Sequence, residues 1–346
     1  MKTKAAILVE LAKPLVMVEL EIPVLKPGQV LVEIAYSGAC GSQVNEAMGN
    51  KGEDKWLPHC LGHEATGTVL ETAAGVTRFK AGDKVVLSWI KGTGYEAGGA
   101  VYDWNGRMVN AGAVTTFQRH ALVSENRLTA LPAGLGMDTA ILLGCAAPTG
   151  MGAVLNVLQA RPGDTIAVFG TGGIGLNALM AAAFAGATTI IGIDPAPQRR
   201  ELARRYGATH TIDPSAGNVV GEVRALVAGG VDLAVEATGI PAVMEQAIDA
   251  TRNQGGRAVV IGNAKAGSRL ALDPSVFNQG KSLMGTWGGD SVPERDYPKL
   301  GRLLASGRFP IASLLSKPYK LTEADQALRD LAAGTVGRPL IDMSLE

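Results

Sequence analysis

The chain has 346 residues, is 47% hydrophobic and 18% charged, and carries 32 basic against 32 acidic residues for a formal net charge of zero. That length points to two domains with ample apolar material for their cores. The charge balance offers no pull toward nucleic acid or an anionic membrane, and the three cysteines argue against a disulfide framework and for a reducing, cytoplasmic setting.

The opening MKTKAAILVE has basic residues before an apolar run, but Glu10 ends that run too early for a secretory leader. Lys26-Pro27-Gly28 reads as a turn, after which Val30, Val32 and Ile34 alternate with Leu31, Glu33 and Ala35 as a strand. His63–Thr72, Lys84–Ser88, Arg119–Ser124 and Arg127–Leu131 read as further short strands, giving a mostly antiparallel β domain up to about residue 150. Lys91–Val114 is Gly-rich and holds Tyr95, Tyr102 and Trp104; it reads as a long surface loop, with a hairpin arm or subunit contact as the alternative. His59 and His120 read as surface or loop residues, and Cys60 as a small buried apolar side chain. Two long uncharged stretches, Thr139–Ala160 and Thr165–Ile193, are broken by glycines, the first also by Pro148, so neither reads as a membrane span.

Beyond residue 150 strands and helices alternate. Thr165–Phe169 reads as a buried strand, Ile174–Ala185 as a small-residue helix and Thr188–Ile193 as the next strand, a βαβ unit. Between the first two lies Gly170-Thr171-Gly172-Gly173-Ile174-Gly175, and Asp194 follows about 20 residues on. Glycines at Gly170, Gly172, Gly173 and Gly175 permit a tight turn, close approach to a pyrophosphate and close helix–strand packing. The helix N-terminus supplies unpaired N–H groups and a partial positive charge. Asp194 accepts from adenosine ribose hydroxyls and repels a 2′-phosphate, which selects NAD; at about 1.5–3 kcal/mol for such a bond, the preference is about 10- to 100-fold. Arg199 and Arg200 stand close behind and either soften that discrimination or flank the ribose. Val231–Val235, Ile240–Ala250 and Arg257–Ile261 continue the alternation, so residues from 164 to about 285 form an α/β doubly wound parallel sheet. Helices near Tyr297–Ala305 and Glu323–Ala333 and a last strand near Arg338–Met343 are expected to return to the first domain.

Cys40 sits in Gly38-Ala39-Cys40-Gly41-Ser42 after a strand, His63 and Glu64 open another, and Cys145 precedes Ala146-Ala147-Pro148-Thr149-Gly150 at the junction of the halves. No two of them have the short spacing that marks a metal site locally, so spacing is silent. With Gly82-Asp83-Lys84-Val85, the Gly170–Gly175 turn, Glu236-Ala237-Thr238-Gly239 and Gly337-Arg338, however, the chain resembles the zinc-dependent alcohol dehydrogenases of the medium-chain dehydrogenase/reductase superfamily over nearly its whole length.

The resemblance implies a GroES-like catalytic domain at 1–148, an NAD-binding Rossmann domain at 149–286 and a return of 287–346 to the catalytic domain. It implies Cys40, His63 and Cys145 as ligands of one catalytic zinc, with Glu64 as the nearby carboxylate and the fourth position left for water or substrate. It further implies that an alcohol reacts as its zinc-bound alkoxide, that Ser42 takes the alcohol proton, that Thr149 packs on the nicotinamide and that Trp89 and Asn45 line the substrate pocket. Thr238 and Arg338 belong by the same likeness to the cofactor site, Arg338 on the pyrophosphate. A homodimer is expected, with a homotetramer as the alternative.

Three departures stand out. Residues 90–118 contain no cysteine, so the family's structural-zinc lobe is missing and a single zinc per chain is expected. Asn45 replaces the histidine that relays the proton, leaving water or the cofactor ribose as its exit. Gln43 replaces the carboxylate that orients the zinc-bound histidine, which makes the imidazole less basic. The expected function is therefore a zinc- and NAD-dependent oxidoreductase of a primary or secondary alcohol or its carbonyl counterpart. The alternatives are a zinc-free, NADPH-dependent reductase of activated double bonds and a non-catalytic NAD-binding protein.

Overall fold

The computed structural model describes residues 1–345, which divide into two compact units: Met1–Cys145 with Val292–Glu346, and Ala146–Ser291.

The first unit is built on β-structure. Lys2–Leu8, Val16–Glu21, Val101–Trp104, Arg107–Asn110 and His59–Cys60 close into a barrel around Ile7, Leu20, Tyr102, Val109 and Leu122. Beside it, Leu128–Ala130, Lys84–Ser88, Glu64–Thr72, Gln29–Gly38, Arg338–Asp342 and Leu315–Tyr319 follow one another across a second sheet, with His120–Ser124 also pairing to Gln29–Gly38. Gln29–Gly38 is the hub: Val30, Val32 and Ile34 point into a core that also takes Leu87, Phe117, Leu321, Leu328 and Ile341. The C-terminal residues thus rejoin the N-terminal ones, Leu340 to Asp342 pairing antiparallel with Gly38 to Tyr36.

Lys91–Val114 is not the irregular loop expected. Val101–Trp104 and Arg107–Asn110 form a hairpin across Asn105-Gly106, both at positive φ (52° and 86°) as a tight two-residue turn requires. Tyr102 anchors it, only 1% exposed, its hydroxyl accepting from Leu122 N and Gln118 Nε2.

The second unit is a six-stranded, fully parallel sheet. Its spatial order is His210–Ile212, Thr189–Ile193, Thr165–Phe169, Leu233–Glu236, Arg257–Val260 and Ser282–Gly285. These strands read as continuous apolar runs because both faces are covered, as parallel sheets demand. The unit begins at Ala146 and ends at Ser291, against expected boundaries after residues 148 and 286. The bonds responsible are Ser291 Oγ to the Pro148 carbonyl at 2.8 Å and Asn156 Nδ2 to the Gly289 carbonyl at 3.1 Å, which tie residues 289–291 to this unit. Among the described residues no single helix is long and apolar enough to cross a membrane.

Candidate active site

In the first unit three segments far apart in sequence converge. The strand Gln29–Gly38 ends just before Cys40, which caps the helix Gly41–Ala47; Gln43 closes a capping box there, its Oε1 accepting from Cys40 N at 2.7 Å. His63 follows Gly62, whose φ of +90° and lack of a side chain let the chain pass Thr116, where a Cβ would lie 2.3 Å from Oγ1. Cys145 ends the short helical stretch after Met137–Ala140. One ligand atom each from Cys40, His63 and Cys145 lies within 4.8 Å of the others.

The geometry fits a metal. Two thiolates on one tetrahedral zinc at about 2.3 Å stand about 3.8 Å apart, and Cys40 Sγ and Cys145 Sγ are separated by 3.8 Å. His63 Nε2 is buried without a hydrogen-bond partner, as a lone pair reserved for a cation would be. The electrostatics agree. Contact with the Cys145 sulfur drives the Cys40 thiol well below its ordinary range, helped by Arg338, and the same contact drives Cys145 up. Burial works against charge on His63, but the Cys40 thiolate more than offsets it and raises the imidazole.

Behind the ligands lies an ion pair. Glu64 is fully buried, and burial pushes its carboxyl up to about 7 against the opposing pull of Arg338. Arg338 Nη1 donates to Glu64 Oε1 at 2.8 Å and to the Ala39 carbonyl at 3.1 Å. Arg338, expected on the pyrophosphate, is only 4% exposed and has Glu64 as an internal counter-ion, while its Nε has no partner among the described residues. The sequence held no sign of that bond, which spans 274 positions.

A cavity of about 580 Å³ opens in this unit beside His63, and Trp89 lines it. Asn45 does not. Its Oδ1 accepts from Asn50 Nδ2 at 3.1 Å in the turn after its own helix. Ser42 lies half-buried in the first turn of that helix. Gln43 carries no bond to His63; its oxygen serves the helix cap, and its Nε2 is buried without a partner. His59 is a further correction. It is 6% exposed, in the strand His59–Cys60, with Nδ1 donating to the Cys60 carbonyl and Nε2 2.9 Å from Asp54. Glu46, Asp54, Trp56 and Arg127 also line the cavity, and their scattered spacing gave no signal.

In the second unit the helix Gly173–Ala185 starts directly after the glycine turn, with Gly172 as its N-cap. Gly170 turns at φ +87°, and a Cβ on Gly175 would lie 1.9 Å from the Gly170 carbonyl oxygen. At Gly172 a Cβ would meet nothing within 4 Å, so the backbone there is open to a ligand. Asp194 accepts from Thr171 N and Ala196 N, each at 3.0 Å, which fixes its carboxylate against the turn. Arg199 approaches that carboxylate to 3.8 Å, whereas Arg200 turns to the Asp194 and Pro195 carbonyls and to Asp213. The two arginines therefore do different jobs. Thr238 gives its N–H and hydroxyl to Glu236, and the buried Thr149 Oγ1 has no partner among the described residues.

Comparison with known proteins gives a consistent result. Residues 173–306 match the family model described as zinc-binding dehydrogenase, and residues 26–133 that of the alcohol dehydrogenase GroES-like domain. The chain is 32% identical over 367 residues to the NDMA-dependent alcohol dehydrogenase of Amycolatopsis methanolica, covering 96% of this chain and 97% of that one. Among solved structures it is similar to an alcohol dehydrogenase zinc-binding domain protein from Burkholderia ambifaria (TM-score 0.89, 33% identity, 99% of each chain). The benzyl alcohol dehydrogenase of Acinetobacter calcoaceticus is equally close in fold, with a TM-score of 0.89 at 29% identity and 99% of each chain.

Proposed function

From the premise that this chain belongs to the zinc-binding alcohol dehydrogenases with a GroES-like domain, an oxidoreductase family, we propose that it interconverts a primary or secondary alcohol and its carbonyl compound by hydride transfer to and from NAD(H), with one catalytic zinc per chain. The observation that carries this reading is the 3.8 Å separation of Cys40 and Cys145 beside the unpartnered His63 Nε2.

Cys40, Cys145 and His63 would hold the zinc, which when bound supplies Lewis acidity that lowers the pKa of a ligated hydroxyl toward neutrality. Two thiolates would balance the charge of the dication, and a set of only three protein ligands would leave room for a substrate oxygen. Ser42, in the first turn of the helix capped by Cys40, receives the alcohol proton; the Asn45 amide does not titrate, so water or the cofactor ribose carries that proton onward. Glu64 and Arg338 form a buried, compensated pair next in sequence to His63, which would keep a carboxylate near the metal without leaving its charge unpaired. NAD belongs to the second unit, with the pyrophosphate at Gly172 and the Gly173 helix terminus, the adenosine ribose on Asp194 with Arg199 alongside, and Thr149 and Thr238 along the nicotinamide half.

We place the protein in the cytoplasm, in keeping with three unbonded, buried cysteines, and as a homodimer, with a tetramer the alternative read by light scattering. Metal analysis of purified protein, paired with NAD and NADP reduction over an alcohol panel, tests the reading. One zinc per chain with NAD-linked turnover is the expected result. Metal-free protein preferring NADPH on activated double bonds, or NAD binding without turnover, would overturn it.

A further inference from the structure

Glu236 ends the strand Leu233–Glu236 and is completely buried. From Thr165–Phe169 the parallel sheet first grows to one side, through Thr189–Ile193 and His210–Ile212, and then to the other, through Leu233–Glu236. A dinucleotide lies across the carboxyl ends of the strands at such a reversal. Asp194 follows Thr189–Ile193, so the adenosine half belongs on that side and the nicotinamide half on the side of Glu236. In the register Glu236 stands opposite Phe169, the residue before the glycine turn. The chain beyond it packs on that turn, since a Cβ at Gly170 would lie 2.7 Å from the Thr238 methyl group.

The two oxygens of Glu236 have different surroundings. Oε1 accepts from Thr238 N at 2.6 Å, from the Thr238 hydroxyl and from Gly239 N at 3.0 Å, which fixes the turn into the helix Pro241–Asp249. Oε2 lies against Gly262, where a Cβ would come within 2.7 Å of it, and has no hydrogen-bond partner. Other buried acids have cations: Glu64 has Arg338, Asp194 has Arg199 and Asp296 has Arg295. Among the described residues Glu236 has no ion pair. Holding three donors takes an acceptor, which the neutral amide oxygen of a glutamine would also supply. The charge thus exceeds what the turn requires, and burying it without a counter-ion is unfavourable.

We propose that Glu236 is a fixed negative charge behind the nicotinamide half of the cofactor site, favouring the oxidised cofactor over the reduced one through space. The nicotinamide ring is a cation in NAD+ and neutral in NADH, so only the oxidised form gains from a carboxylate nearby. One or two side chains away inside a protein, such a charge shifts the balance by about three- to tenfold. Oε2 is closed off from solvent, so Glu236 acts by its field and by holding Thr238 and Gly239, not by touching the ligand. The inference rests on the NAD-linked dehydrogenase reading above and assigns a residue to that cofactor site.

The test measures Kd for NAD+ by isothermal titration and for NADH by its fluorescence, on the full-length protein and two variants. Glu236→Gln keeps the acceptor and removes the charge; it should lower the affinity for NAD+ relative to NADH by about three- to tenfold. Glu236→Asp keeps the charge and shortens the reach to Thr238 and Gly239; it should weaken both forms while the ratio stays within about twofold of wild type. A ratio unchanged in Glu236→Gln, or shifted as far by Glu236→Asp, would overturn the proposal. Should Glu236→Gln not fold, the wild type is titrated with benzamide adenine dinucleotide, whose ring has the shape of nicotinamide without its charge. NAD+ is then expected to bind at least about threefold more tightly, and equal binding would overturn the proposal. Alcohol turnover with an unchanged ratio sinks the role of the charge alone. The expected shift in ratio, without turnover of any alcohol, leaves that role standing and removes the dehydrogenase reading.

Discussion

Arg338 and Glu64, 274 residues apart, meet at 2.8 Å with almost no exposure to solvent on either side chain. Removing one member of a buried pair leaves the other charge without compensation, a loss of about 3–5 kcal/mol. Arg338→Met is therefore expected to destabilise the protein by about that much in urea unfolding. The double variant Arg338→Met with Glu64→Leu should recover most of it, and a double variant as unstable as the single one would remove the pair from the account.

Either Cys40→Ser or Cys145→Ser should abolish NAD-linked turnover while the fold survives, with bound zinc falling from about one per chain to a small fraction. Atomic absorption and circular dichroism read both halves of that statement. Near-normal turnover in a zinc-free variant would take the metal out of the reaction.

Asp194 lies with its carboxylate fixed by Thr171 N and Ala196 N, so its charge has a defined place beside the glycine turn. Asp194→Ala should narrow the ratio of NAD to NADP efficiency by about 10- to 100-fold, the worth of a charge-assisted hydrogen bond. An unchanged ratio would mean that the ribose is read elsewhere.

At Gly175 the obstacle to any side chain is backbone, the Gly170 carbonyl 1.9 Å from where a Cβ would stand. Gly175→Ala should cost about 1–3 kcal/mol through overpacking and weaken NAD binding by displacing the turn. Isothermal titration with NAD and thermal unfolding check the two effects, and wild-type values in both would show that the close approach is dispensable.

Asp232 joins two neighbouring strands at their start. Burial opposes its ionisation, yet Thr165 N–H and hydroxyl, both bonded to its Oδ2, and Arg252 hold the carboxyl below its ordinary range. A lowered folded-state value means stability that is full above the unfolded value near 3.9 and lost as pH falls through the folded one. Asp232→Asn should thus be less stable than wild type at pH 7, and the gap in urea midpoint should shrink below about pH 4. A gap independent of pH would assign the difference to packing.

What the chain disclosed before any coordinates depended on range. The strand Thr165–Phe169, the glycine turn and the helix behind it are dictated by neighbours within 20 residues, and the structure places them within a residue of the reading. The convergence of Cys40, His63 and Cys145 has no local signature; only likeness to a family pointed to it, because the fold brings the segments together. His59 was misplaced on the surface for the same reason, since its burial comes from the barrel and from Asp54. In Lys91–Val114 the hairpin arm stands only as the alternative to a loop, although Asn105-Gly106 between short β-prone runs is a strong turn signal that the glycine content masks. Arg338 adds a partner that nothing nearby in the sequence announces, the buried Glu64.

The strand Gln29–Gly38 takes one of its neighbours, Arg338–Asp342, from the last ten residues of the chain. As the polypeptide leaves the ribosome, the parallel sheet of Ala146–Ser291 has all its strands well before that neighbour is synthesised. The parallel-sheet unit is thus free to mature first, while the unit bearing Cys40, His63 and Cys145 waits with an open sheet edge for Arg338–Asp342. The setting of Cys40, His63 and Cys145 is completed, with Arg338 behind Glu64, only when that late strand is in place.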